Sequence, residues 1–378
     1  MIKYSAALII TVLLTILSCQ TQKSEHKINK RRLFGKLPTS ESVYLYTLSN
    51  QTGMKVEIIN YGAIVVSITA PDKNGKLEDV VLGFDNLEDY LNDNSFIGTI
   101  VGRFGNRIYN GKMILEGKEY QLTINDGENH LHGGPKGFHK VLWNAVSIEN
   151  ESAQALKLSY HSRDGEEGYP GNLNIEVTYT LTNNNELRID YLATTDKPTV
   201  VNPTSHTYFS LSGSPVNSIL NEELQLYADN ITPVNKTLIP TGELMKVENT
   251  PFDFRKPHKI GERIDEKNEQ LEFGKGYDHN WVLNNYNGSV RKVGELFEPT
   301  SGRLMEIYTD QPGIQFYSGN FMNGTLKGKK GIIYNYRSAL CLEAQHFPNS
   351  PNQPNFPSVK LNAGEKYKQQ TIYRFTFK

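Results

Sequence analysis

KVEIINYGAIVVSITAP, residues 55–71, is the stretch on which the fold turns. Val56, Ile58, Ile59, Ile64, Val65, Val66 and Ile68 are β-branched, stiff at the first side-chain torsion and suited to a pleated, half-buried surface rather than a helix. The stretch runs into a turn cluster, DKNGK (72–76). The same grammar recurs in VYLYTLS from Val43, LNIEVTYTLT from Leu173 and GIQFYSG from Gly313, with LTNNN (181–185) and NNYNGS (284–289) as further punctuation. The 21 tyrosines and 16 phenylalanines fit broad sheets. Helical periodicity is scarce, with one short candidate at NLEDYLND (86–93). No fixed-period repeat or internal linker is visible. The expectation is all-β: a large antiparallel β-sandwich in two layers.

Outward from that body, the N-terminus reads differently. Lys3 and the apolar run 6–17 have the form of an export signal, shorter than the ~20 residues of a membrane span. The run ends at Ile16-Leu17-Ser18-Cys19, which resembles the lipobox of bacterial lipoproteins, where cleavage precedes a lipidated cysteine. The segment after Cys19 is polar and charged and cannot bury a core. The expected plan is therefore a signal peptide at 1–18, a tether at 19–32 carrying lipid on Cys19, and a β-sandwich domain at 33–378. The body would sit on the periplasmic side of a membrane or at the cell surface, touching the membrane only through that lipid. With Cys19 so used, Cys341 has no partner for an intramolecular disulfide, and stability must come from packing. Forty basic against 41 acidic side chains argue against nucleic acid as a partner.

Polar residues interrupt apolar runs at a few places. IVGRFGNRIYNG (100–111) carries Arg103, Asn106 and Arg107, either structural arginines bonded to carbonyls or a guanidinium fork for hydroxyls or a carboxylate. NHLHGG (129–134) sets His130 and His132 two residues apart, so in a strand both would share a face; the glycine pair suits a close backbone approach. His206 lies among β-formers and aromatics in VNPTSHTYFSL. In SALCLEAQHF, Leu340, Leu342 and Ala344 alternate with Cys341, Glu343 and Gln345. A carboxylate on a core strand needs either an arginine or a use for a raised pKa, because burying it unpaired costs several kcal/mol, on the order of 3–5. Asp278 in GYDHN and Gln315 in PGIQFY are single polar residues of the same kind.

Taken in order, NYGAIVVSITAPDKNG, VVLGFDNLEDYL, IVGRFGNRI, NHLHGG, SHTYFSL, GYDHN, QPGIQFYSGN and CLEAQHFPNSPNQPNF closely resemble the aldose 1-epimerase (galactose mutarotase) family from about Leu33 to the C-terminus. The resemblance implies the supersandwich of the galactose mutarotase type and interconversion of the α and β anomers of free aldohexoses. No cofactor is implied for catalysis. Some bacterial relatives carry calcium, which could enter only as a structural ion, since no compact oxygen-ligand loop is visible here. A free monosaccharide is the implied partner, and a monomer is expected. Residue by residue, the family pattern makes Glu343 the base and His206 the acid, with Asn106, Arg107, His132, Asp278 and Gln315 holding the sugar; His130 has no inherited role. Ser205 and Ser210 depart from the usual residues around the acid and raise the question of how His206 is oriented. Such chemistry would need an ionised carboxylate beside a protonated imidazole, with pKa values bracketing the working pH.

Three other readings compete. A metal enzyme of cupin type would use His130, His132, His206 and Glu343 as ligands. A non-catalytic sugar binder would keep the grip and have no need of the acid–base pair. A glycosidase would pair Asp278 with Glu343.

Overall fold

The computed structural model of the chain describes residues 30–150 and 153–378. The expected signal peptide, Cys19 and residues 20–29 of the expected tether lie outside the described residues. Strand pairing begins at Lys30, inside the stretch assigned to the tether, because Lys30–Lys36 adds to the edge of Ser42–Ser49.

Residues 55–71 form two strands, Lys55–Ile59 and Ile64–Pro71, folded back so that Val56 faces Ile68 and Ile59 faces Ile64. The reversal falls at Asn60–Tyr61–Gly62–Ala63. Gly62 has φ +63°, and a Cβ there would stand 2.6 Å from the His139 carbonyl oxygen, so glycine is required. Asn60 replaces the missing ladder bonds: its Oδ1 accepts from Tyr44 N at 2.8 Å and its Nδ2 donates to Trp143 O at 3.1 Å. The hairpin thereby seats a five-stranded antiparallel sheet against the segments that carry His139 and Trp143.

Two larger sheets make the sandwich. One has nine strands, in the order Asn144–Asn150, Ala153–Ser162, Leu173–Thr182, Glu186–Thr195, Lys366–Phe377, Arg303–Thr309, Arg291–Glu298, Glu223–Leu226, His258–Lys259. The other has six: Tyr208–Phe209, Leu340–Gln345, Gly313–Tyr317, Asp278–Leu283, Ala228–Thr232, Met245–Lys246. Strict alternation in LNIEVTYTLT sends Leu173, Ile175, Val177, Tyr179 and Leu181 inward. There they share one apolar core with Trp281, Ile314, Phe316, Leu340 and Leu342 of the six-stranded sheet. Tyr373 Oη donates to Leu342 O at 2.7 Å and Gln369 Nε2 to Ala344 O at 3.1 Å, tying the layers where the core meets the backbone. The expected helix is present as Leu87–Asn92, capped by Asn86, whose side chain accepts from Asp89 N.

What matters for function is the other face of the six-stranded sheet. Asp278 pairs with Tyr317 and Asn280 with Gln315; Gln315 pairs with Glu343 and Tyr317 with Cys341. Directly paired residues share a face, so the period of two that buries Trp281, Phe316 and Leu342 in the core gathers these polar groups on the opposite side.

Candidate active site

The polar face floors a cleft of about 830 Å³, counted out to solvent, lined by Phe96, Asn106, Arg107, Asp126, His132, His206, Tyr208, Asp278, Tyr317 and Glu343 among others. Glu343 and His206 face each other inside it, Glu343 Oε1 3.8 Å from His206 Nε2, with side chains 2% and 7% exposed. His206 reaches this position because its backbone is clamped: its N–H donates to Thr99 O at 2.8 Å, and its carbonyl accepts from Gly98 N at 3.1 Å. Its ring packs edge-on to His132 and beside Tyr208, both with centroids 5.1 Å away. Glu343 Oε2 is buried and has no hydrogen-bond partner among the described residues. Neither arginine of GRFGNR pairs with it directly; of the two alternatives for a buried carboxylate, the structure favours the raised pKa.

Burial pushes the Glu343 carboxyl well above its ordinary value, and Asp278 pushes it further; Arg107 only partly offsets this. Burial lowers His206 to about 4. These directions are opposite to the expected ionised carboxylate and protonated imidazole, because the closed site removes the water that would solvate either charge. Burial thus favours the neutral form of each group. The pair holds one proton, on the carboxyl, and the charged pair differs from it only by moving that proton across.

Around the pair, the two sequence segments GRFGNR and NHLHGG become neighbours, with Leu131 paired to Arg107 and His130 to Ile108. Asn106, at φ +61°, donates its N–H to His132 Nδ1 at 3.1 Å. That bond leaves neutral His132 with its proton on Nε2, a donor for a hydroxyl. Arg107 Nε donates to Asp126 Oδ2 at 2.7 Å, which fixes the guanidinium at the cleft wall. Asp278 Oδ1 accepts from Gln315 Nε2 at 2.7 Å. Gln315 therefore stands one layer back from the cleft and braces Asp278.

The sequence model of the family described as Aldose 1-epimerase matches residues 44–374. The chain is 43% identical over 346 residues to the galactose mutarotase of Sus scrofa, covering 92% of this chain and 98% of that protein. It is 36% identical to the aldose 1-epimerase of Escherichia coli K12, covering 89% and 96% of the two chains. Among solved structures, galactose 1-epimerase from Lactobacillus acidophilus superposes with a TM-score of 0.81 at 29% identity, over 92% of this chain and 98% of that one. The chain belongs to the aldose 1-epimerase family.

Not every polar residue of this epimerase-family chain that drew attention in the sequence reaches the cleft. His130 is fully buried, its Nδ1 2.6 Å from Thr123 O and its Nε2 2.6 Å from Tyr169 Oη. It does not share a face with His132 because the strand is only His130–Leu131, and His132 has φ +52°, which breaks the alternation. The glycines explain themselves here: a Cβ on Gly133 would lie 1.7 Å from Gly102 O, so the two segments can meet only through a residue without one. Arg103 is structural, donating to Ser162, Arg163 and Pro170 carbonyls at 2.8–3.0 Å from a site 2% exposed. With His130 turned away, the ligand set of the metal-enzyme reading is not assembled. Among the described residues no group of three or more His, Cys, Asp or Glu is placed to hold a metal ion.

Sequence reasoning passed over Asp126, Phe96 and Tyr317. Phe96, at φ +58°, lays its ring 4.7 Å from both His132 and His139. Its loop is pinned by Asp93, which accepts from Ser95 N and Ile97 N, and by Tyr208 Oη donating to Ser95 O. No pattern in DNSF marks that role. Asp126, in a turn four residues before His130, carries no signal beyond turn chemistry.

Proposed function

We propose that the protein interconverts the α and β anomers of free aldohexoses such as glucose and galactose, with Glu343 as base and His206 as acid. The observation that carries this is the buried Glu343–His206 pair, 3.8 Å apart in a cleft whose polar lining also includes Asn106, Arg107, His132 and Asp278. With a cyclic sugar bound, moving the pair's proton onto His206 Nε2 creates the working state. Glu343 then takes the proton of the C1 hydroxyl while His206 protonates the ring oxygen. The C1–O5 bond breaks, C1=O forms, and the neutral pair is restored. Rotation about C1–C2 turns the other face of the aldehyde, and closure runs the transfers backwards. Each transfer by a positioned group is worth on the order of 10²–10⁴-fold. Asn106, Arg107, His132 and Asp278, with Gln315 behind it, hold the ring while C1 stays free. Fresh α-D-glucose and α-D-galactose, followed by polarimetry, should equilibrate faster than the buffer blank. Binding without acceleration would leave the sugar-binder reading, and cleavage of a methyl glycoside would support the glycosidase.

The same protein is proposed to be an exported lipoprotein acting as a monomer on the periplasmic side or cell surface. The ILSC segment and the polar stretch after it support the anchor. Cys19→Ala should move the protein from the membrane fraction to the soluble one. A variant that still sediments with membranes in high salt ends the lipid-anchor reading.

A further inference from the structure

If Nε2 of His206 exchanges protons with sugar, something must hold the other ring nitrogen. Ser205, the residue before it, does not: its Oγ bonds Thr207 Oγ1 at 2.9 Å. The side chain in contact with His206 Nδ1 is Cys341 Sγ, 3.5 Å away and fully buried, while the ring also bonds its own backbone. Cys341 lies two residues before Glu343 on the same strand and face, and it pairs directly with Tyr208, two residues after His206. One strand thus supplies a partner to each imidazole nitrogen, thiol to Nδ1 and carboxyl to Nε2. We propose that Cys341 is a positioning residue: its sulfur accepts a hydrogen bond from Nδ1–H of His206 and so keeps Nε2 as the nitrogen that takes and gives the proton.

The reaction selects that direction. A neutral ring carrying its proton on Nε2 could not accept one there, whereas the Nδ1–H tautomer can become an imidazolium at Nε2 and return without changing its bond to sulfur. Sulfur accepts in both states. It is also a weak acceptor, which suits a ring that must surrender its proton in every cycle; a carboxylate in the same place would hold the imidazolium. Burial, with Glu343 and Asp278 nearby, pushes the thiol well above its ordinary value, so it stays a thiol and adds no charge of its own.

The inference rests on His206 as the acid, but its decisive measurement is not an activity. Nitrogen-15 NMR of the imidazoles in the wild-type protein near neutral pH, with His206 assigned by its absence from His206→Asn, should show the Nδ1–H tautomer. An Nε2–H tautomer overturns the proposal whether or not the protein is an epimerase. Cys341→Val should lower kcat roughly ten-fold, less than the ~10²-fold expected for removing the acid itself, with KM unchanged and the tautomer shifted toward Nε2–H. Cys341→Ser, which keeps an acceptor, should restore both. A folded valine variant with wild-type kcat and tautomer also overturns it; should that variant not fold, the wild-type spectrum alone decides.

Discussion

Glu343→Gln should leave a folded protein that binds sugar and turns it over at least ~10²-fold more slowly, the loss expected for removing a positioned general base. The two halves of that expectation have one cause. Burial favours the neutral form of the Glu343 carboxyl, so an amide of the same shape disturbs little of the charge balance that supports the fold. Thermal unfolding should move little, and the backbone pairing to Gln315 is unchanged by the substitution. The proposed catalysis, in contrast, needs the oxygen to take the C1 hydroxyl proton and to pass the pair's own proton to His206, and an amide does neither. Polarimetry beside circular dichroism separates the effects. A Glu343→Gln protein with native melting that equilibrates α-D-glucose at the wild-type rate would remove Glu343 from the mechanism.

Glu343 was the site residue most legible in the sequence, and the reason is local. A carboxylate at an alternate position of LCLEAQ sits on a strand whose other face is apolar, and period two alone places it opposite the core. Asp278 and Gln315 join it through strand register, which no single segment specifies; only their place in the family pattern brought them together beforehand. Arg103 and Arg107 show the opposite case. They are the same residue type four positions apart, and residue type and spacing leave them equivalent; only the family pattern singles out Arg107. Tertiary placement divides them, since Arg103 spends its donors on buried carbonyls and Arg107 has Asp126 to aim it at the cleft.

The fold was legible where alternation was clean, as in residues 173–182, and less so where a run of β-branched residues hid a reversal. Residues 55–71 look continuous because Tyr61 and Ala63 are as apolar as strand residues. The turn depends on Gly62 meeting the His139 carbonyl, a contact between distant segments. Protonation was the least legible property. The reaction suggests an ion pair, and residue types are compatible with one. The degree of closure decides otherwise, and closure comes from the three sheets together with Phe96, Tyr208 and Tyr317 around the imidazole.

That closure sets the pH dependence of the wild-type enzyme and of His206→Asn. The proposed active unit is a carboxyl and an imidazole sharing one proton, and its titrations belong to the pair. As pH falls, the second proton goes to His206 while Glu343 is already protonated; the base is then absent, so activity should fall on an acid limb near 4, the lowered value of His206. As pH rises through the elevated value of Glu343, the pair loses its only proton and with it the acid, giving an alkaline limb above the ordinary carboxylate range. Between these limbs the rate, corrected for the buffer blank, should show no acid limb at about 6.5, where a solvated histidine would titrate. His206→Asn should lower turnover by at least ~10²-fold and abolish the acid limb, because the residue that takes the second proton is gone, while sugar affinity stays close to wild type. An acid limb centred at 6.5 in the wild type would mean that the imidazole is solvated during turnover, and the dry, single-proton pair would have to be abandoned. A limb near 4 that survives in His206→Asn would assign that titration to another group and take His206 out of the acid role.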